Sequence, residues 1–142
     1  MAAQKNKDLV RRFLQLIERQ DLASFDPVLS PDYTLHLPGL PEPVRGLAAW
    51  KGVISSYFAA FPDLRHRPHR VTTGDNEVAC LVEVTGTHTE DLAFPDGSSL
   101  PPTGASIRVE LAEFWRYEGD RIAEYKVIYD QSGFLAQLGV GA

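Results

Sequence analysis

Cysteine is almost missing from the chain: Cys80 is the only one. A single thiol excludes any disulfide within the chain and suits a reducing compartment, so the cytoplasm is expected. Set in "VACLVEV", it reads as a small core hydrophobe rather than a nucleophile. Long apolar runs are missing too. Nothing approaches the length of a membrane span, and the opening residues "MAAQKNKDLVRR" lack the apolar stretch of a signal peptide. There is no surplus of positive charge. Fourteen Lys and Arg against 19 Asp and Glu leave a formal net charge of -5, which argues against a general attraction to nucleic acid or to an anionic membrane. The one basic cluster, "RHRPHR" from Arg65 to Arg70, is short and interrupted by Pro68, and reads as a solvated edge or loop. No phosphate-cradling glycine loop, dinucleotide fingerprint or nucleophile elbow occurs. His66 and His69 have a spacing that could touch a metal, but no carboxylate or cysteine stands near them, so no metal site is expected.

What is present is an ordinary globular mixture, 44% hydrophobic and 23% charged over 142 residues. That length favours a single domain over residues 1–142 that buries its own core. Val10, Phe13, Leu14 and Ile17 recur at helical spacing and predict a helix from about Asn6 to Gln20. A short second helix with Leu22, Phe25 and Leu29 buried is expected next, broken by "SPDY", and "YTLHL" reads as a strand closed by Pro38 and Gly39. A third helix, from about Leu47 to Phe61, carries a broad apolar stripe that includes Trp50, Ile54, Tyr57 and Phe58, and "FPD" stops it. From there the period changes to two. A hairpin is predicted from a strand ending near Thr73, the turn "GDNE" and the strand "VACLVEVTGTHT". After a Pro- and Gly-rich loop, Glu90 to Gly104, a second hairpin pairs "IRVELAEFWRY" with "IAEYKVIY". A short helix capped by Asp130 closes the chain. The fold class is α+β: a curved antiparallel sheet wrapped around helices, with a pocket between them and the long loop as its lid.

The order of elements resembles the nuclear transport factor 2-like cone fold. The words "FPDL", "GTHT", "PPTG" and "DQSGFLAQLG", in that order, resemble the SnoaL-like polyketide cyclase family over roughly Asn6 to Gly139. The resemblance implies a cone-shaped sheet, a small apolar or aromatic ligand, no cofactor, and a homodimer. It implies ring closure or a related isomerase or dehydratase reaction by acid/base chemistry. It also implies a catalytic aspartate three residues before the Asp that opens the last helix. That position is Val127, which has no proton to exchange. The family's partner histidine falls on Glu113.

Glu113 is the polar exception on its face. Val109, Leu111, Trp115 and Tyr117 share its strand parity, so one carboxylate is expected amid apolar side chains, with a raised pKa suited to moving protons. A hydrogen-bonded structural carboxylate is the alternative. His88 matches the histidine of the family's "GTHT" word and His36 one common after the first strand; with Glu113 they are the candidate catalytic groups. Tyr57 and Tyr125 are candidates to hold a ligand oxygen, and Trp50, Phe58, Trp115 and Val127 are candidate walls. The sequence thus points to a cofactor-free enzyme on a small, mostly apolar carbonyl compound, or to a binding protein with the same pocket and no turnover.

Overall fold

The computed structural model describes residues 2–94 and 96–140, with side chains from residue 7 onward. The expectation of one domain over 1–142 thus includes Met1, Pro95, Gly141 and Ala142, which lie outside the described residues. Helix α1, Ala2–Arg19, buries Val10, Phe13, Leu14 and Ile17, the stripe that helical periodicity predicts, and Leu16 as well. It ends where Gln20 takes a positive φ of 54°: the Gln20 amide returns to the Ile17 carbonyl and the Asp21 amide to that of Leu16, a Schellman closure without glycine. The Gln20 side chain compensates by donating to the Pro62 carbonyl at 3.2 Å, which ties the end of α1 to the end of the next helix.

A single 3₁₀ turn, Ala23–Phe25, replaces the expected second helix. Leu29 does not belong to it. It opens strand β1, Leu29–His36, which is irregular between Leu29 and Thr34, where Pro31 has no amide to give the ladder. Strand β2 is Val44–Arg45 and helix α2 is Leu47–Ala60. Strand β3, Arg65–Thr73, holds the whole basic cluster on the sheet edge and pairs with β4, Glu77–Thr87. The loop after β4 carries a two-stranded ribbon, β5 (Leu92–Ala93) with β6 (Ser99–Leu100), and β5 rests against α2. Strands β7, Ser106–Glu118, and β8, Arg121–Ile128, form the second hairpin, and helix α3, Gln131–Gln137, follows. The Asp130 carboxylate caps α3 by accepting from the Gly133 amide at 2.9 Å, as expected.

The six-stranded sheet runs β2-β1-β8-β7-β4-β3. It is mixed rather than wholly antiparallel, because β1 joins β8 in parallel. Along β7 the buried residues alternate through Ile107, Val109, Glu113, Trp115 and Tyr117, so one face covers the helices and the other faces water. β7 runs beyond the end of β8. There Gln137 of α3 takes over the pairing, accepting from the Arg108 amide and donating to its carbonyl at 2.8 and 3.0 Å.

Candidate active site

Between α2 and the inner face of the sheet lies a cavity of about 100 Å³. Trp50, Val53, Ile54 and Tyr57 of α2 face Tyr125 and Val127 of β8, while Leu111, Val109 and Ile107 of β7 form the floor. The lining is apolar apart from three tyrosines and one histidine: Tyr57, Tyr125, Tyr129 and His66. Tyr57 and Tyr129 hydrogen-bond to each other through their hydroxyls, and burial raises both pKa values.

Glu113 is fully buried, as strand alternation predicts. Its register partners are Val127 on β8 and Cys80 on β4, so the carboxylate stands directly across the ladder from the valine. The Tyr125 hydroxyl lies 2.6 and 2.7 Å from its two oxygens. Burial drives the Glu113 carboxyl up to about 8, against the opposing effect of the Tyr125 hydrogen bond. The Tyr125 hydroxyl is itself held well above the usual phenol range, by burial and then by the neighbouring carboxylate. Its ring is fixed by stacking on Trp115 (centroids 5.2 Å, planes 13° apart) and by the edge of Phe13 at 5.0 Å. Tyr33 and Cys80 also feel the Glu113 charge. Tyr33 Oη and Trp115 Nε1 are buried with no hydrogen-bond partner among the described residues.

Near pH 7 the carboxyl is mostly protonated. Its proton can lie on the short contact to the Tyr125 oxygen and leave the tyrosine's own proton free for a ligand oxygen in the cavity. With the carboxyl ionised, the tyrosine proton is drawn back to it. The pair can therefore give up a proton or take one back, with Tyr125 as its member in the cavity lining.

The candidates drawn from sequence divide accordingly. Tyr57, Tyr125, Trp50 and Val127 line the cavity together. Glu113 does not; it stands behind Tyr125, because two oxygens held by one hydroxyl keep its side chain beside the tyrosine. Trp115 and Phe58 are buried core residues rather than walls, Trp115 covered by the Tyr125 ring it stacks on. His36 lies outside the cavity lining and pairs with Glu124 at 3.3 Å, both half-exposed. His88 is fully buried but also outside the lining. Its Nδ1 accepts from the Thr103 amide at 3.2 Å, and its backbone bonds Gly104 and Ala105, so it fastens the long loop to the sheet. No described residue of that loop lines the cavity, so the expected lid is instead a packed ribbon.

The sequence reading missed Tyr129 and His66. Tyr129 shares parity with Tyr125 and Val127, which was a usable signal. For His66 the sequence offers only its spacing to His69. The structure separates them, with His69 outside on Glu110 at 3.1 Å. Among the described residues no three His, Cys, Asp or Glu side chains come together to hold a metal.

The recognised words meet in space. Asp63 of "FPDL" accepts from the Thr87 amide at 2.7 Å and hydroxyl at 2.9 Å, and Gly86 lets the strand pass close to Phe61, where a Cβ would sit 3.3 Å from that residue's own Cβ. A sequence model of the SnoaL-like domain matches residues 10–125. The chain belongs to the SnoaL-like family. Among solved structures, IdmH, a candidate polyketide cyclase from Streptomyces antibioticus, is 28% identical with a TM-score of 0.78, over 95% of this chain and 99% of that one. A candidate SnoaL-like polyketide cyclase from Jannaschia is 17% identical with a TM-score of 0.86, over 99% and 96%. AclR from Streptomyces galilaeus, described as a candidate hydroxylase, is 23% identical with a TM-score of 0.82, over 99% of both chains. The last two show the shared cone fold alone. No curated protein matches the chain significantly.

Proposed function

We propose that this SnoaL-like protein is a cofactor-free acid/base enzyme of cyclase or isomerase type, acting on a small, mostly apolar carbonyl compound. The observation that carries the reading is Tyr125, a residue of the apolar cavity lining whose hydroxyl lies 2.6 and 2.7 Å from the buried Glu113 carboxyl. A substrate carbonyl oxygen accepts the Tyr125 proton, and Glu113 replaces it. The proton released from the carbon beside the carbonyl then returns through the tyrosine oxygen to the carboxylate. The dyad ends as it began and the ketone has become its enol, the form that attacks a second carbonyl in ring closure. A low-polarity site strengthens each of these proton contacts. On this reading the acid/base duty of position 127 has passed across one strand pair to Glu113.

The test needs no knowledge of the natural substrate. With para-acetylbiphenyl in deuterated buffer, wild type should accelerate exchange of the methyl hydrogens, read by NMR. Glu113→Gln and Tyr125→Phe should each lower that rate by about 10²–10⁴-fold while still binding the ketone. Equal rates in wild type and Glu113→Gln would rule the dyad out.

A second reading, a binding protein without turnover, is favoured by Val127 itself and by the placing of Glu113 behind Tyr125. It expects saturable ketone binding and no exchange at any pH. Either way the reading includes a second copy of the chain on the outer sheet face and a cytoplasmic setting, the latter supported by the one buried free thiol.

A further inference from the structure

Besides its three tyrosines the cavity has one polar lining residue, His66. His66 is the only buried residue of β3, 8% exposed on an edge strand whose other residues are exposed or half-buried. A bulge follows it: His69 is the extra residue between the Pro68 and Arg70 pairings, and the strand's parity shifts by one residue there. His66 pairs with Val84, and Val84 with Val109, so one inward-facing row of the sheet reads His-Val-Val, and all three members line the cavity. Its Nδ1 is buried with no partner, and burial alone pushes the ring down to about 4, so it is neutral near pH 7 and can accept or donate one hydrogen bond. The same residue borders a groove between α1 and β3.

A buried polar atom without a partner is costly in a dry wall, and an apolar side chain would line this position at lower cost. We propose that His66 is a specificity residue: it hydrogen-bonds a hydroxyl at one end of an elongated, mostly apolar ligand whose carbonyl oxygen lies at Tyr125. The ligand class is thus narrowed to aromatic or polycyclic compounds with two oxygen functions at opposite ends. β4 and β7 separate the strands that carry His66 and Tyr125, so at about 4.8 Å per strand the two anchors are set apart by more than one ring. This inference rests on the reading of the cavity as the ligand site, but not on turnover.

The test compares binding of para-acetylbiphenyl with its para′-hydroxyl derivative, followed by calorimetry. Wild type should bind the hydroxylated ketone about 10-fold more tightly, the size of one well-made buried hydrogen bond. In His66→Phe that ratio should fall to about one or below, and His66→Asn, which keeps a hydrogen-bonding tip, should restore part of it. Thermal melts of all three proteins establish that each is folded. An unchanged ratio in His66→Phe would overturn the proposal, as would equal affinity for both ketones in wild type. If the ratio behaves as expected while hydrogen exchange is absent, the acid/base reading fails and the role of His66 stands. If neither ketone binds wild type, both fall.

Discussion

Glu113 is held in the fold in the form it would not choose in water. Its carboxyl titrates near 8 when folded and near the ordinary value of 4.5 when unfolded, so the unfolded chain binds fewer protons between those limits and stability falls as pH rises through the window. Carried over the whole interval this is about 5 kcal/mol as an upper bound. His66 acts in the opposite sense. Its folded value of about 4 lies below the ordinary 6.5, so stability is lost as pH falls from 6.5 towards 4. The two slopes oppose each other between about 4.5 and 6.5, and Glu113 acts alone from there to about 8. The expected profile of unfolding free energy, measured by denaturant titration, is flat across the lower interval and falls by about 2 kcal/mol across the upper one. In Glu113→Gln the fall should vanish. If wild type and Glu113→Gln run parallel from about pH 6.5 to 8, the carboxyl is not held neutral. Alternation along "VELAEFWRY" was enough to turn Glu113 inward, but it did not reveal Tyr125 as the partner. That meeting depends on the offset between β7 and β8, which a bulge between Arg116 and Tyr117 resets. Nor does parity distinguish an inward residue that reaches the cavity, such as Val127, from one covered by its neighbours, such as Trp115.

Helix α3 shows how one capping interaction can reverse the usual effect of a substitution. Gly133 lies in the first turn, where alanine would ordinarily add about 1 kcal/mol of stability. A Cβ at that position would fall well inside contact distance of the Asp130 carboxylate that caps the helix. Gly133→Ala must therefore displace the cap, which itself contributes about 1 kcal/mol, and the expected net change is near zero. In an Asp130→Ala background the obstruction is gone, and the same substitution should stabilise by about 1 kcal/mol. A double-mutant cycle on thermal or denaturant unfolding measures the coupling; additive effects would mean that carboxylate and glycine do not share this space. The helices α1 and α2 and both hairpins were legible because their signals lie within a single window of sequence. The start of β1 was not. Pro31 and the irregular ladder around it mimic a helix break, and only the distant β8 makes Leu29 a strand residue. The parallel join of β1 to β8 left no local trace for the same reason.

The outer face of the sheet presents apolar residues that the monomer leaves bare. Phe114 is 41% exposed and Ile128 50%, and the register places Ala79 and Ala112 beside them. A patch of this kind on a regular sheet suits a second copy of itself. Wild type should sediment as a dimer, and Phe114→Glu with Ile128→Lys should shift it to monomer while ketone binding in the cavity on the opposite face is kept. A wild type that sediments as a monomer at every concentration tested would refute this. The sheet order carries a consequence in time as well as in space. The first long strand to leave the ribosome, β1, finds its main neighbour only in β8, the last. Until the C-terminal hairpin is made, β1 has only the two-residue β2 beside it in the sheet, and Tyr125 of the cavity lining is not yet in place. Folding of this chain thus includes a long-range closure of β1 on β8, of the kind that slows folding relative to chains of local contacts.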